Sequence, residues 1–388
     1  MLLPILLLSA AGFTVLTTEF VIVGLLPGMA RDLGVTIAQG GLLVTLFAFT
    51  VACFGPFLTA YCARFERKRL FVMVLVLFGL ANGLAAVSPN IYIMGIARLI
   101  PALALPVYWA LASETAVDLV GPEHAGRAMA KITFGIVCAM VFGIPVGTLM
   151  ADALGWRMVF GLLGLLAFAK ALLLAVYLPT IRVNRSEVSL RQQLGTLRSP
   201  LLLGHVLLSV LVFSGMFTAY TYLADILERL AGMSGSVVGW CLMAFGAVGL
   251  IGNSLGGRAV DKHPLIASMV FCAFMVLAMI ALIPSIHSPV LLAVAMAVWG
   301  ITQSAMFLVS HVRVMKAADS APAFGASLNI SGGNLGIGFG AIVGGRVIEH
   351  FGLGTLGYVA AGFIGLAILL AGALMWRPNG AASAGNLV

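Results

Sequence analysis

The sequence predicts an all-α membrane protein: twelve transmembrane helices in two pseudo-symmetric six-helix bundles. Three observations carry that expectation. Of 388 residues, 62% are hydrophobic and only 9% charged, with a mean hydropathy of +1.13. A soluble domain carries about 25% charged residues, and no interior of this size could hide so much apolar surface from water. The apolar residues fall into long runs punctuated by charge, proline or glycine. Finally, Gly143-x3-Gly147 followed by Gly155 recurs as Gly340-x3-Gly344 followed by Gly352, an offset of 197 that also carries Ala60 onto Gly257.

In chain order, span 1 covers 4–27 and ends at Pro27, ahead of Arg31 and Asp32. Span 2 (41–63) ends in the basic cluster Arg64, Arg67, Lys68 and Arg69, and span 3 (70–88) ends before Pro89. Spans 4 (91–117), 5 (128–152) and 6 (157–178) complete the first set. After the polar stretch 179–199 come spans 7 (200–224), 8 (235–257), 9 (264–284), 10 (288–312), 11 (324–348) and 12 (354–376). Each is long enough to cross about 30 Å of hydrocarbon as a helix. Only helices satisfy their own backbone in lipid segment by segment, and the alternating ten-residue pattern of a β-barrel is absent.

The organisation that follows is an N-terminal bundle at 1–178, a cytoplasmic linker at 179–199, a C-terminal bundle at 200–377 and a short cytoplasmic tail at 378–388. With both termini in the cytoplasm, fifteen Lys and Arg lie on that side. Four (Arg31, Arg157, Arg229 and Arg346) lie opposite, and Arg98 and Lys170 remain inside spans. This is a strong positive-inside bias. The net charge of +8 is therefore read as topology and not as a nucleic-acid surface. The N-terminus has no basic n-region or cleavage site and reads as the first span. Cys53, Cys62, Cys138, Cys241 and Cys272 lie in or beside apolar runs without a CxxC pair, and read as packing residues.

Gly256-Gly257-Arg258-Ala259-Val260-Asp261-Lys262 fits G-x3-D-[KR] and resembles the cytoplasmic loop motif of the major facilitator superfamily. The first-half copy, Tyr61 to Arg69, keeps the basic cluster and has Ala63 where that family usually has Asp. Thr18-Glu19-Phe20-Val21-Ile22-Val23-Gly24-Leu25-Leu26-Pro27, with Ala30 to Val35, resembles the first span of the drug:proton antiporter family, in its sugar, purine and nucleoside efflux branch. Arg98, Gly143 to Thr148, Gly155-Trp156-Arg157 and Ala219 to Leu223 match as well. The resemblance implies the major facilitator fold, proton antiport and a bacterial cytoplasmic (inner) membrane location. It also implies gating at Arg64 and Asp261.

From the residues themselves, Glu19 and Arg98 stand out. A charge inside a span costs about 2.5–3.5 kcal/mol on insertion scales and usually faces a cavity where it acts. At about 1.5 Å per residue both lie roughly 10–12 Å below the outer surface, so they can pair if their helices are neighbours. Glu19 is then a proton-coupling residue with Arg98 as its modulator or solute contact, or the two form a static ion pair. At the 197 offset they map to Met216 and Ala295, so coupling is expected in the N-terminal bundle alone. Substrate-binding candidates are Tyr108, Trp109, Tyr220, Tyr222, Gln303, Asn329 and Asn334, whose phenol, indole and amide groups on apolar helices suit either solute contacts or helix packing. Gly143, Pro145 and Gly147 are conformational candidates: small residues permit close contact, and proline removes a helical hydrogen bond. Lys170 either lines a polar passage or snorkels. Glu114 and Asp118 either relay protons or sit at the interface near Arg127 and Lys131. His205 and His311 are expected at the interface.

No Walker loop, Rossmann fingerprint, zinc spacing or catalytic triad is present, so neither enzymatic activity nor a cofactor is expected. The expected function is a proton-coupled secondary transporter that exports a small organic solute or drug by alternating access, powered by the proton gradient. Uncoupled facilitation and solute/proton symport are the alternatives. Expected partners are the small-molecule substrate, protons and the bilayer, with no nucleic acid, and the chain is expected to act as a monomer.

Overall fold

The computed structural model describes residues 2–62, 64–121, 125–180, 199–318 and 322–376. Most of the expected linker and the tail lie outside them. All described secondary structure is helical: α1 (Leu2–Asp32), α2 (Ile37–Cys62), α3 (Arg67–Ala86), α4 (Ile91–Val120), α5 (Ala125–Cys138), α6 (Ile144–Leu154) and α7 (Trp156–Tyr177) form the first six spans. The second six are α8 (Pro200–Tyr220) with α9 (Leu223–Asp225), then α10 (Gly235–Lys262), α11 (Pro264–Leu282), α12 (Pro289–Ala317), α13 (Pro322–Phe351) and α14 (Leu356–Trp376).

Among the described residues, eleven helical segments are long and apolar enough to cross a membrane. The twelfth, α13, has 30 residues, but eight glycines and two asparagines dilute its apolarity. It is wedged between α8 and α2, where small residues let three backbones approach.

Helix ends and breaks follow local chemistry. The Glu66 carboxylate caps α3, accepting from the backbone N–H of Lys68 (3.0 Å) and Arg69 (2.9 Å). Ser199 caps α8, with Pro200 at its first position. Span 5 is interrupted by a π-helical turn at Ala139–Gly143. Pro145 lacks an N–H and crowds the carbonyl four residues back, so the widened turn absorbs a break that α6 continues. Pro27, expected to end span 1, does not. The helix runs on to Asp32, because one lost hydrogen bond near the water is tolerable.

The 197-residue repeat is visible in three dimensions. Gly155 and Gly352 turn the chain into the last span of each half with φ of 84° and 85°, a conformation that favours glycine. Gly143 meets Thr17 and Gly147 meets Val21; their counterparts Gly340 and Gly344 meet Ser214 and Thr218, the residues 197 further on. Two pairs of equivalent positions touch each other: the rings of Phe20 and Phe217 lie 5.9 Å apart, and Arg31 forms an ion pair with Glu228. A residue can meet its own repeat image only near the pseudo-two-fold axis, so that axis runs between α1 and the α8–α9 span.

A side chain at Gly340 would press on α8, its Cβ within 3.0 Å of the Thr218 backbone nitrogen. Gly340→Val is expected to cost about 1–3 kcal/mol by overpacking, read as a lower Tm and an aggregated fraction in size-exclusion chromatography.

Candidate transport site

α1 is held by side chains that donate to its backbone. The Arg98 guanidinium, 1% exposed, donates to the carbonyls of Thr18 and Glu19, the latter at 2.7 Å, and lies over the Phe47 ring at 4.5 Å. Lys170 Nζ donates to Ala10 O at 2.6 Å and to Thr14 Oγ1, and the Tyr108 hydroxyl donates to Leu8 O. A carbonyl has two lone pairs, so a helical carbonyl can accept a second bond without losing its first.

The expected Glu19–Arg98 pairing takes a different form. The helices are neighbours, but the guanidinium engages main chain, and the Glu19 carboxylate has no hydrogen bond or ion pair among the described residues. Of the two carboxylates buried among the described residues, Asp225 is paired with Arg229 at 3.3 Å. Glu19, 8% exposed, lies beside the axis residue Phe20.

Around that axis the second half supplies an aromatic cluster. Phe217 abuts Tyr220 (5.5 Å), Tyr220 stacks on Phe245 (5.5 Å), and both face Trp299. Trp299 Nε1 donates to Gln303 Oε1 at 2.9 Å, so Tyr220 and Gln303 belong to one assembly. The Tyr220 hydroxyl has no hydrogen-bond partner among the described residues. Trp109 is half-buried against Gly12 of α1. Trp299 and Phe245 were not anticipated, since a lone aromatic on an apolar helix gives no directional signal.

Other candidates lie elsewhere. Tyr108 is in the core of the first half, its ring against Phe71 and its hydroxyl on α1. Tyr222 donates to Ala341 O at 2.7 Å and fills the gap beside Gly41, Gly344 and Gly345, tying spans 7, 2 and 11 together. Asn334 bonds back to Ile330 O. Asn329 accepts from Ser209. Arg64 rests on the rings of Tyr61 (3.8 Å) and Phe65 (5.1 Å), and the Asp261 carboxylate has no partner among the described residues; Lys316 instead binds the carbonyls of Val260 and Asp261. Lys170 does not snorkel but turns inward to α1. Glu114 pairs with Arg67 at 2.5 Å. His311 is half-buried. His205, expected at the interface, is buried in the second half, and so is Arg313, one of the fifteen charges assigned to the cytoplasmic side. The sequence places them only by distance from a span end, which does not say which way they face.

The two halves meet at one end. Thr45 donates to Gly338 O at 3.1 Å, Gly239 faces Leu149, Gly246 faces Met140, and Arg31 pairs with Glu228. Among the described residues, every hydrogen bond, ion pair and ring contact joining the halves lies on the axis or toward this end. Above the closure is a vestibule of about 600 Å³ lined by Arg31, Asp32, Asp152, Trp156, Arg157 and Glu228. There Asp32 accepts from Trp156 Nε1 at 3.1 Å and pairs with Arg157, tying the ends of spans 1 and 6.

Residues 8–325 match the family model described as Major Facilitator Superfamily. The chain belongs to the major facilitator superfamily. It is a multi-pass membrane transporter with the twelve-span, two-bundle fold of that superfamily. Solved structures agree at low identity. The nucleoside transporter NupG is 18% identical, with a TM-score of 0.74 over 96% of this chain and 98% of that one. A bacterial homolog of the human lysosomal transporter Spinster, in an inward-facing and unoccupied conformation, is 16% identical, with a TM-score of 0.74 over 97% and 98%. The human organic anion transporter MFSD10 (TETRAN) is 16% identical, with a TM-score of 0.70 over 95% and 99%.

In a transporter of this superfamily, the Arg31–Glu228 pair is placed to hold the closed end shut. Exposed pairs contribute about 0.2–1 kcal/mol, so Arg31→Ala should raise the ratio of open to closed states at this end by about 1.4- to 5-fold. Spin labels at Gln39 and His350, in a background without native cysteines, would report it as a longer-distance population. Exchanging the two charges (Arg31→Glu with Glu228→Arg) should restore the short distance.

Proposed function

We propose that this transporter is a proton-coupled exporter of a small organic solute, working by alternating access in a bacterial inner membrane with both termini cytoplasmic. The observation that carries the reading is the Glu19 carboxylate, buried in the span next to the axis and without a hydrogen bond or ion pair among the described residues. A lone ionised carboxylate in a low-dielectric site is costly, and binding a proton removes that cost. Arg98 keeps a fixed positive charge nearby and anchors the α1 backbone, so Glu19 can load and release its proton while the helix stays in place.

The fifteen-to-four distribution of Lys and Arg makes the closed end the outer one, so the conformation is inward-facing. The axis cluster of Phe217, Tyr220, Phe245 and Trp299, with the Gln303 amide nearby, then lies on the solute route. Aromatic faces with a few orienting polar groups suit a planar or partly apolar organic molecule.

The decisive experiment follows internal pH in proteoliposomes while nucleosides, sugars and organic cations are tested as solutes. Glu19→Gln should abolish solute-dependent proton flux yet leave solute binding within about threefold, because binding and coupling are separate free energies. Unchanged proton flux in the variant would remove Glu19 from coupling, and solute equilibration without flux in the wild type would make the protein a facilitator. Arg98→Lys, which replaces the planar fork on the Thr18 and Glu19 carbonyls with a shorter-reaching, compact ammonium, should lower transport by about tenfold and the Tm with it.

A further inference from the structure

The repeat places two unlike bonds at one position. In the first half, Leu8 O accepts from the Tyr108 hydroxyl of span 4. Its image 197 residues on is His205 O, which accepts from Arg313 Nη1 of span 10 at 3.1 Å. A neutral phenol does this work in one half; in the other it is a guanidinium only 1% exposed. No carboxylate faces it among the described residues. Such a charge is expensive in a membrane and needs a reason beyond packing.

Its partners supply one. Arg313 Nη1 also lies 3.2 Å from His205 Nδ1, and Nη2 donates to Ser209 Oγ at 2.9 Å. Ser209 passes its own hydrogen to Asn329 Oδ1 at 2.8 Å, so the chain runs from α12 through α8 to α13. Arginine has donors only. His205 Nδ1 must therefore be the acceptor, which makes the imidazole the neutral tautomer carrying its hydrogen on Nε2. A proton added at Nδ1 turns that acceptor into a donor and sets two cations face to face.

We infer that His205 is a proton-binding site of the second half, whose protonation releases Arg313 and loosens the inner ends of α8, α12 and α13. It is separate from Glu19 and goes beyond the coupling role proposed for that residue. Among the described residues the ionisable surroundings are few. Arg313 faces His205 from α12, and Cys272 of α11 lies by the guanidinium. On α13 the nearby group is the neutral Asn329, while Arg346, Glu349 and His350 are at its far end. On the α14 side, Leu374 packs on Gly204, and that helix has no Asp, Glu, Lys, Arg or His. On α1, Phe20 meets α8 well above His205. His205 itself is 7% exposed, on the side expected to face the cytoplasm. The conformation described here is the deprotonated one, so acid on that side disfavours it and alkali favours it.

The test uses the full-length protein in nanodiscs with 15N-labelled histidine, the His205 signal being assigned by its loss in His205→Gln. At about pH 8 the wild type should show the neutral Nε2–H tautomer, and the ring, buried beside a fixed cation, should gain its second proton only as the titration is carried down to about pH 4. Over the same range, hydrogen exchange in peptides covering 200–209 and 310–316, corrected for its intrinsic pH dependence, should rise about tenfold in the wild type and stay flat in His205→Gln. An Nδ1–H tautomer, a ring that never titrates, or an equal rise in the variant would each overturn the inference. The tautomer reading needs no folded variant beyond the assignment.

Discussion

The constraint on which the structure depends is that a helix in lipid has nothing to bind but other helices. α1 shows the consequence. Arg98, Lys170 and Tyr108 come from three positions on two other helices and all end on its carbonyls. Each buries a donor that would otherwise be unsatisfied, and each fixes the azimuth of α1. That azimuth turns Phe20 to the axis and leaves the Glu19 carboxylate beside it without a hydrogen bond among the described residues. The likeliest-looking ion pair of the sequence is thus a scaffold contact, with the guanidinium bound to backbone and the carboxylate left available.

Duplication supplies the second theme. The close contacts of Gly143 and Gly147 on α1 reappear as those of Gly340 and Gly344 on α8, one repeat away. Where the repeats agree, they seat span 5 on span 1 and span 11 on span 7 through the same close glycine contacts, so each half is packed by the same device. Where they differ, ionisable groups stand opposite apolar or neutral ones: Glu19 opposite Met216, and His205 with Arg313 opposite Leu8 with Tyr108. An exact copy would place the same charge on both sides of the axis, whereas a divided one lets each half respond separately.

The closure at one end is built from modest parts. Among the described residues, one cross-half ion pair, one threonine-to-carbonyl bond, the Phe20–Phe217 ring contact and close glycine contacts join the halves. Weak, spread contacts suit a joint that must open, since a transition between states requires that neither be held by more than a few kcal/mol.

The sequence by itself determined the twelve spans, the repeat offset and the presence of charges inside the membrane. These follow from composition and periodicity, because the bilayer sets the length and polarity of every segment. It also singled out Glu19 and Arg98, since charge in an apolar run is visible without coordinates. Only the tertiary structure decided which way those side chains turn. Tyr222 became a latch, Tyr108 a core residue, Lys170 an inward-pointing donor and Arg313 a buried cation, although nothing in their sequence surroundings sets them apart. Helix rotation and helix neighbours fix direction, and both arise from packing between segments far apart in the chain, which no local pattern of residues encodes.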